Sequence, residues 1–259
     1  MRKIVINNQK GGSGKTTTAV NVSAGLAEKG RKVLLVDLDQ QASSSIWLGF
    51  SKTNVEEDLF DVTQGPELIR VLAQKTKVKN LEIIPFLPLK GKNSKEFRDY
   101  KGKATILKSK FSHLSNDIWD YVIFDCSPGL NISTLNALVT ADELLIPVTT
   151  HALALYGVIS LLETMESVQL KLNPDLYITG IVACRVDPNI KHNMEILELL
   201  IEKFGVLVYN TYIKEDIKLA ECPSFAQTIF QYDPKSIGAT DYRALANEII
   251  AQEKKNNRG

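Results

Sequence analysis

The chain has no apolar run long enough for a membrane span or a signal-peptide core; after Met1, Arg2 and Lys3 the first apolar stretch covers only residues 4–6. A cytoplasmic protein is therefore expected. Cysteines are few, with Cys126, Cys184 and Cys222 widely spaced and odd in number, which fits reduced thiols and excludes a disulfide framework. No cysteine–histidine pair has zinc-site spacing. Neither charge sign is in surplus: the formal net charge is +1, so any nucleic-acid or acidic-membrane partner must meet a local patch. There is no internal repeat and no low-complexity linker, and length alone allows one large α/β domain or two small ones.

What the chain does have is alternation. Short apolar runs rich in branched residues at 4–6, 33–36, 121–124 and 144–148 predict strands buried on both faces. Helical patterns lie between them, the clearest over residues 16–29, with Val22 and Leu26 one turn apart and Gly30 placed to cap the end. Strand, helix, strand predicts a parallel sheet. Further helices are expected at 131–139, 154–170, 192–204 and 240–252, and further strands at 176–182 and 206–209. The alternation never breaks, so residues 1–259 read as a single domain. The least regular stretch is 51–115, where Pro66, Pro85 and Pro88 interrupt the pattern and basic residues crowd between positions 90 and 110.

Residues 4–17, Ile-Val-Ile-Asn-Asn-Gln-Lys-Gly-Gly-Ser-Gly-Lys-Thr-Thr, form a strand, a glycine-rich turn and a helix start, the context of a phosphate-binding loop. Glycines let backbone N–H groups turn inward around phosphate oxygens, and the positive end of the helix dipole adds to the field. Lys15 then reaches the terminal phosphates and Thr16 offers a hydroxyl to Mg2+. The strict G-x-x-x-x-G-K-[ST] spacing is not met, because Gln9 occupies its first glycine position and Lys10 follows. Asp37 and Asp39 come at the end of the strand at 33–36 and share a side if that strand continues, and Asp125 ends the strand at 121–124. Ligands of open parallel sheets bind beyond such carboxyl ends.

The segment Lys10, Gly11, Gly12, Ser13, Gly14, Lys15, Thr16, Thr17 resembles the deviant Walker A motif of the ParA/MinD superfamily, in which a signature lysine precedes the glycines. The resemblance implies a P-loop ATPase with a mostly parallel twisted sheet and helices on both faces, using ATP and Mg2+. It implies that these eight residues hold the nucleotide and that Lys10 crosses a dimer interface to the partner's nucleotide, as an arginine finger does. It further implies that Asp37 holds a Mg2+-bound water, that Asp39 orients or deprotonates the attacking water, and that Asp125 is a Walker B acid reaching Mg2+ through water.

Within the superfamily the chain resembles ParA/Soj-type partition ATPases over nearly its whole length. The residues that carry this are Asn136-Ala137-Leu138, Ile146-Pro147-Val148, Leu155-Tyr156-Gly157, Leu219-Ala220-Glu221-Cys222-Pro223-Ser224 and Tyr232-Asp233-Pro234-Lys235-Ser236, with Tyr242, Leu245 and Ala246. Departures are Gln40 and Ser127 where prolines are usual, His151 where an acid is common, and Lys214-Glu215 in place of a Pro-Arg pair near the base. The branch implies an ATP-dependent homodimer that binds double-stranded DNA without sequence preference, associates with the nucleoid and is stimulated by a ParB-like partner. Lys218 matches one DNA-contacting position and Lys191 lies close to another; the run Lys90, Lys92, Lys95, Arg98, Lys101, Lys103, Lys108 and Lys110 widens that footprint or is a charged helix face. With Gln9 so near the start, no N-terminal operator-binding domain is expected. The alternative is a ParA-like ATPase that positions a protein cluster or microcompartment. A membrane role is not expected, since residues 251–259 have no apolar face, and Cys126 directly after Asp125 stands too early for an iron–sulfur ligand.

Overall fold

The computed structural model describes residues 1–50, 59–60, 65–86, 104–115, 117–151 and 154–256, the last three without their side chains. In chain order the elements are β1 (Arg2–Ile6), α1 (Lys15–Glu28), β2 (Val33–Asp37), α2 (Ser43–Trp47), α3 (Glu67–Leu72), β3 (Gln74–Lys75), β4 (Leu81–Ile84) and α4 (Ile106–Ser112). Then come β5 (Tyr121–Asp125), α5 (Ile132–Thr140), β6 (Glu143–Thr149), α6 (Ala154–Lys171), β7 (Tyr177–Val186), α7 (Lys191–Phe204), β8 (Ile213–Lys214), α8 (Ile217–Glu221), α9 (Ile229–Tyr232) and α10 (Ile237–Asn256).

Successive side chains of a strand leave on opposite faces, and here both sets are apolar. Val5 of β1, Leu34 and Val36 of β2, and Val122 and Phe124 of β5 enter one core; Ile4, Ile6, Val33, Leu35, Tyr121 and Ile123 enter the other. A sheet with two apolar faces needs cover on both, and parallel strands supply it, because their long crossovers fold as helices. One face carries α1, α2, α9 and α10, the other α3 to α7. The strand order is β3-β4-β2-β5-β1-β6-β7-β8, and every neighbouring pair is parallel except β3 with β4 at the edge.

Two contacts set how the elements meet. Helix α1 lies so close to α10 that a Cβ added at Gly25 would stand 3.1 Å from the Ala246 methyl and 3.4 Å from the Phe230 ring. Arg2, at the start of β1, holds buried Glu143 of β6 through two bonds of 2.6 Å and donates to the Ile249 carbonyl of α10 at 2.6 Å.

The strand expected at residues 206–209 is not there. Gly205 turns the chain at positive φ into a short 3-10 turn (Gly205–Leu207), Val206 is fully exposed, and only Val208 makes an isolated bridge, to Ile181. The strand that pairs with β7 is β8 instead. The irregular stretch at 51–115 contains a buried strand, β4, joined to β2. No described helix is long and apolar enough to cross a membrane.

A candidate nucleotide site at the carboxyl ends of the strands

Strands β1, β2 and β5 are neighbours, so their carboxyl ends bring the glycine-rich loop and the three acids to one place: Ile6 and Asp37 are both register partners of Asp125. After β1 the chain turns through Gly12 at φ +72° and Gly14 at φ +88°, the left-handed region open to glycine, and Gly14 begins α1 with its carbonyl accepting the Thr18 N–H at 2.8 Å. This aims the first N–H groups of α1 into the loop, where they attract anions.

Lys15 is buried, and its Nζ donates to the Lys10 carbonyl at 3.0 Å across the loop. Burial pushes its pKa down, while the charges of Asp125 and Asp39 oppose the fall. Asp37 is almost fully committed: its Oδ1 accepts the Asp39 N–H at 3.0 Å, and its Oδ2 accepts the N–H and hydroxyl of Ser45 at 2.8 and 2.5 Å. Asp39 is buried and accepts the Gln41 N–H at 3.0 Å. Asp125 is different. It is completely buried, and neither carboxylate oxygen has a hydrogen-bond partner. Burial raises its pKa most, and the neighbouring Asp37 charge raises it further; the Thr16 and Ser44 hydroxyls oppose this from beyond hydrogen-bonding geometry.

A buried carboxylate without a partner is costly and asks for a cation. The donors facing it, hydroxyls and carboxylates, are hard oxygens that suit a hydrated divalent ion of the Mg2+ kind. Among the described residues no three His, Cys, Asp or Glu side chains form a metal-holding group, so an ion here would need further ligands from outside the chain.

From the loop a cleft of about 400 Å3 runs past Asp39 to Ile213, Leu219 and Tyr242, with Arg185, Lys214 and Glu215 at its rim. This is the size and mixed polarity of a small-molecule site. Lys214 pairs with Asp241 at 2.8 Å and Glu215 with Arg185 at 2.9 Å. Ser44, Ser45 and Arg185 were not singled out from sequence, and Tyr242 only as part of the family resemblance; the triplet Ser43-Ser44-Ser45 just beyond the acids was the signal available for the serines.

The residues read as DNA contacts are elsewhere on this edge. Lys191 starts the helix after β7 and Lys218 sits in the helix after β8, beyond the carboxyl ends of their strands. Both have acidic neighbours: Lys191 Nζ lies 3.4 Å from Glu195, and Lys218 is ion-paired with Asp233. Of the basic run at 90–110, Lys90, Lys92, Lys95, Arg98, Lys101 and Lys103 lie outside the described residues; Lys108 is exposed, but Lys110 is buried in the face of α4 and does not belong to a surface patch.

Comparison with known proteins agrees with this geometry. A family model described as an AAA domain matches residues 1–178. The sporulation initiation inhibitor protein Soj of Bacillus subtilis is 37% identical over 248 residues, covering 96% of this chain and 98% of that protein. The chromosome partitioning protein ParA of Myxococcus xanthus is 35% identical over 260 residues, covering 97% and 89%. Among solved structures, a cobyrinic acid a,c-diamide synthase from Mycobacterium smegmatis with a bound ATP analog and magnesium superposes with a TM-score of 0.82 at 28% identity, over 99% of this chain and 97% of that one. With its loop, its strand-end acids and these relatives, the chain belongs to the ParA/MinD family of P-loop proteins.

Proposed function

We propose that residues 1–259 act as one ATPase unit of the partition type: ATP and Mg2+ close two protomers into a dimer, the dimer holds double-stranded DNA without sequence preference, and a ParB-like partner triggers hydrolysis and release. The observation that carries the nucleotide half is the unpartnered, buried Asp125 carboxylate beneath a positive-φ glycine loop with Lys15 across its mouth. Likeness to Soj and ParA supports the partition half. Such a protein works in the cytoplasm at the nucleoid.

The roles follow from position. N–H groups from Gly12 to Thr17 and the Lys15 ammonium neutralise phosphate charge, a task done by preorganised donors without covalent chemistry. The Thr16 hydroxyl, Asp125 and Asp37 would hold Mg2+, the latter two through water; the ion supplies charge for the phosphate oxygens. Asp39, at the loop after β2, orients the attacking water or takes its proton as that water adds to the γ-phosphorus and ADP leaves. Lys10 neutralises the phosphates of the partner protomer's nucleotide. Ile213, Leu219 and Tyr242 form an apolar wall for the base.

Lys15→Ala tests the nucleotide site. Losing charge-assisted bonds to phosphate should weaken ATP binding by roughly ten- to a hundredfold or more in calorimetry. Unchanged affinity would remove the phosphate-loop assignment.

A further inference from the structure

Gln9 stands where the strict phosphate-loop spacing has glycine, and none of the phosphate chemistry uses its side chain. Yet its amide is held at both ends by α6. Nε2 donates to the Ser160 carbonyl at 3.2 Å and to Thr164 Oγ1 at 2.9 Å, while Oε1 accepts from Ser160 Oγ at 2.9 Å. The Thr164 hydroxyl spends its own proton on the Ser160 carbonyl at 3.0 Å, so each donor in the cluster has a single assigned acceptor direction.

Gly157, Ser160 and Thr164 are spaced three and four residues apart and share one face of α6, which lies on the loop; Val158, Leu161 and Met165 face the core. A Cβ at Gly157 would already be 3.5 Å from Asn8 Oδ1. Asn8 is fixed too, donating to the Pro147 carbonyl at 2.7 Å and accepting the Lys10 N–H at 3.1 Å. Lys10 is therefore the first residue beyond a junction fastened to β6 by Asn8 and to α6 by Gln9. Its long side chain is free to choose rotamers, so the direction in which its backbone points is the part that the fold can set in advance.

We infer that Gln9 is a positioning residue for Lys10: by fastening the loop to Ser160 and Thr164 of α6, it sets the direction from which the Lys10 cation leaves the chain to meet the partner protomer's nucleotide. This rests on the reading of Lys10 as a group that acts across the dimer. Two or three partly buried hydrogen bonds of ordinary strength bias a loop conformation by on the order of ten- to a hundredfold, enough to decide whether the lysine arrives.

The test replaces Gln9 by Glu, equal in size but with an acceptor where Nε2 donates to the Ser160 carbonyl. ATP-dependent dimerisation in light scattering and phosphate release should fall about tenfold or more, while ATP affinity of the monomer in calorimetry stays within about twofold. Thr164→Val and Ser160→Ala, which leave the loop sequence intact, should show smaller losses of the same kind. In a Lys10→Ala background, Gln9→Glu should add nothing to the loss of residual turnover measured at high protein concentration, because both act through one group. A purely structural role would lower ATP affinity and Tm together and would add to Lys10→Ala; either result overturns the inference. If Gln9→Glu and Thr164→Val dimerise and turn over like wild type while Lys10→Ala does not, the inference fails and the reading of Lys10 survives. If Lys10→Ala itself behaves normally, both fall.

Discussion

Asp37 and Asp125 are register partners at the ends of neighbouring parallel strands, one with its carboxylate bonded by Ser45 and the Asp39 N–H, the other with no bond at all. Two buried acids one strand apart repel each other when both are ionised, and the proposed Mg2+ would relieve that repulsion.

Without ligand, that arrangement makes stability depend on pH. Burial raises the pKa of both acids, and Asp37 raises Asp125 further. A folded-state pKa above the unfolded one means that the folded protein binds the proton more tightly. The resulting stabilisation is complete below the ordinary aspartate range and is lost as pH rises through the raised values. The Tm of the ligand-free protein should thus fall between about pH 5 and pH 8. Asp125→Asn should flatten that slope and raise Tm at the alkaline end by roughly 2–4 °C per kcal/mol recovered, read by scanning fluorimetry. Equal slopes in wild type and variant would count against the strained pair.

Asp39→Ala separates binding from turnover. The phosphate loop is untouched, so ATP affinity and dimerisation should remain, while hydrolysis falls by about 10²–10⁴-fold with the loss of proton transfer. Normal partner-stimulated phosphate release in this variant would show that another group activates the water.

DNA binding should require ATP, ignore sequence and weaken with salt. Lys191→Glu with Lys218→Glu should lower affinity for every sequence alike and reduce the slope of log K against log salt by roughly 3–4 if both lysines of both protomers meet phosphates. Each lysine has an acidic neighbour in the free protein, Glu195 or Asp233; because salt screens exposed charges, the loss should be largest at low salt. Equal binding with ATP, ADP and no nucleotide would refute the coupling; no binding with ATP at low salt would favour the positioning of a protein cargo on another matrix.

Gly25 tests the seam between α1 and α10. Gly25→Ala gains about 1 kcal/mol of helix propensity and loses a comparable amount to the 3.1 Å contact with Ala246, so it should be nearly neutral. Gly25→Val adds two methyl groups with nowhere to go and should cost about 1–3 kcal/mol in urea unfolding.

Much of this was legible in the chain because the informative residues are local. The run from Lys10 to Thr17 states a loop and a helix start in eight positions, and Asp37 and Asp125 each end an apolar strand, with Asp39 two residues beyond the first. What sequence could not give is where a side chain finds its partner. Gln9 looked like a substitution in a motif, because Ser160 and Thr164 lie some 150 residues away. Lys218 looked like a free surface cation, although Asp233 lies only 15 residues further along. Residues 206–209 had the composition of a strand, but Gly205 at positive φ turns the chain into a 3-10 turn and leaves only Val208 to bridge Ile181.

The seam between α1 and α10 also sets an order of events during synthesis. Helix α1 leaves the phosphate loop directly, and its outer face is covered by α10, with Gly25 against Ala246 and Thr18 against the Tyr242 hydroxyl at 3.3 Å. A nascent chain that has emerged as far as β7 already carries the loop and all three acids, yet the helix that orients them is bare on one side. The loop and its acids are thus complete in sequence well before the cover of α1 exists, and the packing that holds α1 in place has to wait for α10.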